Sequence, residues 1–184
     1  MADDIDALSP DRFWDFAVAV YGAPDVSEEC LGLQARYGVD VNLLLFATYA
    51  GAALGWSFDD SDLNGLVKAS EAWQRDVVAR LRAARVAMKP YEKDPRAEIA
   101  GQVAALRQTV KDSELAAERI EQIMLLDWVR GRLGDRPRDR RGDCAAAAAA
   151  NVSALLARHG DDGDTAPPRI SNLMSAALRY ARTS

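Results

Sequence analysis

The stretch that most constrains this chain runs from Val41 to about Trp56. Asp40 stands before it in the position of an N-cap, and Leu43, Leu44, Leu45, Phe46, Ala47 and Tyr49 leave it almost no polar face. A helix that is apolar nearly all round has to be covered on every side. It is therefore expected at the centre of the molecule, with other helices packed around it. A membrane span needs about 20 apolar residues, and this run is shorter and rich in alanine and glycine, so a buried core helix is the better reading. Its small residues, Ala47, Ala50, Gly51, Ala52 and Ala53, let neighbouring backbones come close. Asn42 sits in the first turn of this buried helix and needs hydrogen-bond partners. It either ties down the preceding loop or lines a pocket, and the loop tie is the simpler expectation.

The rest of the chain carries helix punctuation and almost no strand signal. There is no sustained period-two alternation and no Asn-Gly turn between apolar runs. Ser9-Pro10 is a cap followed by proline at the first helical position, opening a helix that ends near Gly22. Ser27 caps a short helix from Glu28 to Tyr37, which Gly38 stops. After a polar break at 57–61, helix resumes at Asp62 and continues to Lys89, where Pro90 ends it. Asp94-Pro95 starts another helix, which reaches about Leu133 with a break expected at Lys111-Asp112-Ser113, two good caps side by side. Residues 134–142, GDRPRDRRG, read as a charged linker. A further helix runs from Asp143 to His159 through the alanines 145–150. Residues 160–168 read as a mobile loop. Ile170 to Arg182 forms a last amphipathic helix with Leu173, Met174, Ala177 and Leu178 on one face.

The expected fold is thus all-α, a single-domain bundle of about six to eight helices around the central apolar one. Residues 9–133 form its core, followed by the linker at 134–142 and a C-terminal helical extension over 143–184. A length of 184 residues with 49% apolar side chains suits one domain with a real core. A net charge of −5 supplies no general basic field, which argues against nucleic acid and anionic membranes as partners. The acidic stretch from Met1 to Asp6 has no apolar core like that of a secretory signal, so a cytoplasmic location is expected. Cys30 and Cys144 are far apart and read as ordinary reduced thiols.

Three constellations bear on chemistry. Asp60, Asp62, Asn64 and Glu71 in DSDLNGLVKASE satisfy the crude formula of a calcium loop. Leu63 and Lys68 stand where solvated or ligating residues are usual, so a helix cap at Asp60 or Ser61 competes with that reading, and no metal is expected. Arg82 and Arg85 lie on a basic stripe of one helix; Glu114, Glu118 and Glu121 lie on an acidic stripe of another. The stripes can pair with each other across the bundle, or they can border a pocket in which the arginine forks grip an anion. His159 is the sole histidine. No GxSxG, HExxH, glycine-rich phosphate loop or dinucleotide fingerprint occurs, so no cofactor is expected and enzymatic activity stays open.

One segment carries a resemblance. Arg36-Tyr37-Gly38-Val39-Asp40-Val41-Asn42-Leu43-Leu44-Leu45-Phe46 resembles the hallmark of a family of short, uncharacterised proteobacterial proteins, a domain of unknown function. That hallmark reads basic-x-x-Val-Asp-x-Asn-Leu-Leu-Leu-Phe and continues to a tryptophan, for which Tyr49 stands here. Trp14-Asp15-Phe16-Ala17 with Tyr21 is similar to the family's opening. Trp73, Val77, Val78, Leu81, Arg82, Arg85 and Lys89, and later Glu114-Leu115 and Glu118-Arg119, are similar to its downstream stretches. The similarity covers residues 9–126. It implies a class and no mechanism, because the family has no established activity, and its pattern does not include the acidic spacing at 60–65.

The first functional reading is a small helical scaffold or adaptor acting through a protein partner or a second copy of itself. The second is a binding or enzymatic pocket for an anionic small molecule, bordered by Asp40, Asn42, Arg82, Arg85, Glu114 and Glu118. The third is calcium binding by the loop at 60–71.

Overall fold

The computed structural model describes residues 8–133, 143–160 and 168–183. The expected linker at 134–142 and most of the expected loop at 160–168 lie outside those residues. Among the described residues there is no strand. The helices are α1 (Pro10–Tyr21), α2 (Val26–Tyr37), α3 (Val41–Ala52), α4 (Asp60–Trp73), α5 (Ala79–Met88), α6 (Ala97–Leu133), α7 (Cys144–His159) and α8 (Ser171–Thr183). No helix among them is long and apolar enough to cross a membrane.

Helix α3 is the centre that its sequence demands. Every residue from Asn42 to Ala52 is buried. The Asp40 carboxylate starts it, accepting from the Asn42 N–H at 2.8 Å and the Leu43 N–H at 3.1 Å. Gly38, with φ +66°, ends α2 in the left-handed region and swings the chain into this cap. From α1, Phe13 packs edge-on against Phe46, with ring centres 5.1 Å apart, and Phe16 contacts Tyr49 and Tyr180. These aromatic contacts join α1, α3 and α8 in one core.

The small residues of α3 face α7. A Cβ built on Gly51 would stand 2.2 Å from the backbone nitrogen of Ala148, so the two helices touch backbone to backbone. One turn beyond that contact, Asn151 fastens the chain that leaves α3. Its side chain donates to the carbonyls of Ala47 and Trp56 and accepts from the Phe58 N–H at 2.8 Å. A single buried amide thereby satisfies the Trp56 carbonyl and the Phe58 N–H of the segment after α3 and ties them to the Ala47 carbonyl of the helix itself.

Three expectations need correction. Helix α2 starts at Val26, earlier than the Ser27 cap implies, because Asp25 takes a left-handed φ of 64° and turns the chain into the helix without side-chain capping. The cap of α4 is Asp59, in place of the Asp60 or Ser61 expected in preference to a calcium loop. Asp59 and Asp62 make a reciprocal capping box, at 2.8 and 3.2 Å, which starts α4. Asp60, Asn64 and Glu71 then lie along one helix, with Glu71 about 16 Å from Asp60 at 1.5 Å rise per residue, too far to share an ion. No group of three or more His, Cys, Asp and Glu able to hold a metal occurs among the described residues. Finally, α6 is one 37-residue helix with no break at 111–113. The capping groups there are spent inside the helix: Ser113 Oγ donates to the Thr109 carbonyl at 2.9 Å, and Asp112 accepts from Gln108 at 2.8 Å.

Between α4 and α5 the helix widens into one π-helical turn over Gln74–Val78. Such a turn re-aims the side chains that follow it. Beyond Val78 no residue is buried until Glu114, so α5 and the first half of α6 form a hairpin that leaves the core. Arg107 braces it, donating to the Arg85 carbonyl and to Glu92, both at 3.2 Å.

Candidate functional site

The base of that hairpin closes one side of an open cleft of about 470 Å³. Helix α1 contributes Trp14, Ala17, Val18 and Tyr21, and α2 contributes Leu31 and Gln34. The first turn of α3 forms the end wall with Asp40, Val41, Asn42 and Leu45. Across from α1 and α2 stand Arg82 and Arg85 of α5, with Glu114, Leu115, Glu118 and Gln122 of α6. All six residues that the sequence nominates for a pocket therefore border the same cleft. One half of its lining is apolar, the other is charged.

The charged half is a cross-helix network. Arg82 donates from Nε to Glu114 at 2.8 Å and from Nη2 to Glu118 at 2.6 Å. Arg85 grips Glu114 with two bonds, at 2.5 and 3.2 Å. Glu114 thus serves two guanidinium groups. Burial raises its carboxyl, but the bonds from Arg85 and Arg82 outweigh burial and hold it below the usual range. Glu118 goes the other way. Burial is its largest influence and Arg82, shared with Glu114, offsets only part of it, so its carboxyl titrates above normal. Both arginines are held above their ordinary value: for Arg82 burial works against this and the glutamates prevail, while for Arg85 the bond to Glu114 leads.

The floor is unusual. Asn42 Nδ2 donates to Glu121 Oε2 at 3.0 Å, and Gln122 Nε2 donates to Asn42 Oδ1 at 3.1 Å. This corrects the loop tie expected for Asn42: its partners lie on α6, and it lines the cleft. The chain of bonds runs one way, from Gln122 through Asn42 to Glu121, and two buried oxygens, Glu121 Oε1 and Gln122 Oε1, end without a donor. Glu121 is fully buried behind Asn42 and does not itself line the cleft. Desolvation, then repulsion from Asp40, raises its carboxyl to about 8, with the Asn42 bond pulling weakly back. Asp40 is also raised, by burial above all, against the two cap bonds and Arg82 that lower it. The floor therefore holds more acid than its surroundings can ionise comfortably.

A family model described as a protein of unknown function (DUF2390) matches residues 12–125, more than half of the 184. The chain belongs to that family. The DUF2390 match spans nearly the same stretch as the resemblance at 9–126, and every residue of the cleft, from Trp14 to Gln122, falls inside it. Helices α7 and α8 lie beyond it, yet α7 packs directly on α3. No curated protein and no solved structure matches the chain. The sequence reading passes over Gln122, which lines the cleft, while Glu121 of its acidic stripe lies buried outside the lining. The one available signal was the unexplained Asn42, which needed two partners.

Removing one carboxylate at a time separates the two glutamates that bind arginine. Glu114→Gln, which strips charge from two half-buried arginines, is expected to cost about 1–3 kcal/mol in chemical denaturation. Glu118→Gln is expected to cost less, up to about 1 kcal/mol, because burial already opposes its charge. Equal losses, or unchanged melting temperatures for both, would count against this division of labour.

Proposed function

We propose that this DUF2390 chain binds a small amphipathic molecule in the cleft between α1, α2, α3, α5 and α6. The observation that carries the reading is Gln122, which lines the cleft and keeps a buried oxygen without a donor beneath an apolar wall. Buried acceptors left open are costly, by about 1–3 kcal/mol each, and an arriving ligand can satisfy them. The size suits a small ligand, since such sites measure roughly 300–1,000 Å³. The arginines have found their anions within the chain, so the reading as a free anion fork has less support than the sequence alone gave it.

A second reading, the scaffold acting through a protein partner, draws on the hairpin at 79–113. It buries no residue, exposes Val86, Tyr91 and Leu106, and carries eight basic against four acidic side chains.

Native mass spectrometry on untagged protein from its own host tests the first reading. Val18→Trp serves as the control, since Val18 is exposed on the cleft wall and a larger side chain there fills the space. The wild-type chain is expected to carry a reproducible non-covalent adduct that the variant lacks. A bare wild-type chain, or the same adduct on both, would remove the support.

A further inference from the structure

We infer that the back of α6 is the contact face of a symmetric dimer, in which it packs antiparallel against the same helix of a second copy of this chain. The sequence sets the face. Gln102, Leu106, Thr109, Ser113, Ala116 and Ile120 follow one another at alternating spacings of four and three, and Ile123 and Asp127 continue the series. Such spacing keeps one stripe of a helix turned toward a partner helix. All of these residues are exposed in the folded chain, Leu106 by 55%, Ile120 by 41% and Ile123 by 40%. Helix α6 packs on its own bundle through another side, which carries Glu114, Ala117, Glu121 and Leu125. Lys111, Leu115 and Glu118, which line the cleft, fall on the far side of the helix from the stripe. The dimer therefore leaves the cleft open and does not depend on what the cleft binds.

A second copy suits this stripe because the stripe is complementary to itself, as a two-fold contact requires. A two-fold axis between Glu114 and Leu115 sets Leu106 against the partner's Ile123, Thr109 against the partner's Ile120 and Ser113 against the partner's Ala116. Large apolar side chains meet toward the ends of the contact, and small ones meet at its middle, where two helices come closest. From Leu106 to Ile123 the contact runs about 26 Å at 1.5 Å per residue. The hydroxyls within it carry no open donor. Thr109 Oγ1 donates to the Ala105 carbonyl at 3.2 Å and Ser113 Oγ to the Thr109 carbonyl at 2.9 Å, so burying them strands no proton.

The charges beside the stripe match under the same axis. Asp112 and Arg119 border it on one flank. Antiparallel packing brings Asp112 of each copy to within about 3 Å, measured along the helix axis, of the partner's Arg119. The pairing occurs twice in the dimer, once on each side of the axis. Arg119 is held on that flank by Asp11 and by the face of Trp14, and at 44% exposure it keeps donors for a second carboxylate. Gln102 meets the partner's Asp127, so like charges do not oppose each other along the stripe.

Sedimentation equilibrium of the full chain tests the association, and cysteine cross-linking tests the register. The wild type is expected to pass from monomer to dimer between about 1 and 100 µM, the range of a short interface of low area. Ile120→Glu forces a carboxylate into the stripe of both copies and is expected to weaken the dimer at least about a hundredfold. Its melting temperature at low concentration should stay that of the wild type, because Ile120 is exposed in the single chain. In a Cys144→Ser background, with Cys30 buried, Leu106→Cys mixed with Ile123→Cys is expected to give a disulfide dimer on mild oxidation. Neither variant alone should, since the axis holds each new cysteine roughly 25 Å from its own counterpart. A wild-type chain that stays monomeric across the concentration range overturns the inference and leaves the stripe to a different protein or to water. A dimer that survives Ile120→Glu, or single cysteine variants that cross-link as readily as the mixture, overturns it by placing the contact on another face or in another register.

Discussion

Replacing Gly51 with alanine is expected to destabilise the protein by about 3 kcal/mol or more, at the upper end for overpacking a core. The added Cβ would stand 2.2 Å from the nitrogen of Ala148, 2.3 Å from its Cα and 2.7 Å from the carbonyl carbon of Ala147. These are backbone atoms of α7, so no rotamer change relieves the clash and trimming Ala148 to glycine does not either. The two helices have to move apart, which opens the packing on both sides of the contact. Two other glycines calibrate the result. At Gly65 the nearest atoms to a Cβ belong to the ring of Trp128, at 2.1 Å, and a side chain can yield further than a helix, so Gly65→Ala should cost less. At Gly101 nothing lies within 4 Å, and Gly101→Ala in the exposed helix should stabilise by about 0.5–1 kcal/mol. Urea denaturation of the three variants checks the order. An unchanged midpoint for Gly51→Ala would mean that α3 and α7 do not touch as described.

The second large effect concerns pH. Glu121 titrates near 8 in the folded chain, against an ordinary value of 4.5. Between those values the folded state holds a proton that the unfolded state has lost. Stability from this group is thus level below about 4.5, falls as pH rises through the window, and levels again above about 8. The slope has an upper limit of about 1.4 kcal/mol per pH unit. Glu121→Gln keeps an acceptor for Asn42 and removes the ionisation. It is expected to match the wild type near pH 4.5 and to exceed it by a few kcal/mol at pH 8.5. Denaturation curves at the two pH values decide: an equal difference at both, or a loss that grows with pH, would mean that Glu121 is not a buried acid kept neutral.

Much of the fold was legible in the sequence because its signals are local. The cap at Asp40 and the apolar run behind it announce α3. Ser9-Pro10, Asp143 and Gly38 mark ends that the structure places within a residue or two. The errors arise where one local signal has two outlets. Asp112 and Ser113 can cap a new helix or bond within an old one, and here both bond within α6. Asp60 and Ser61 can each cap α4, and Asp59, just before them, does so by closing a capping box with Asp62. The cleft was legible in its charged stripes, since spacing along α5 and α6 puts each set on one face. Its floor was not, because Asn42 finds its partners 79 and 80 residues away, and no periodicity in either helix encodes that meeting. The π-helical turn before Arg82 is equally silent in sequence, for nothing in QRDVV requires it.

The most direct test of the account is a carbon-detected NMR titration of the Glu121 side-chain carboxyl in the ligand-free protein. The account rests on a floor that buries an acid without enough donors to ionise it, so the expected midpoint lies close to 8. A midpoint near the ordinary 4.5 would contradict the account, because an acid that ionises at its usual pH is not one kept neutral by burial.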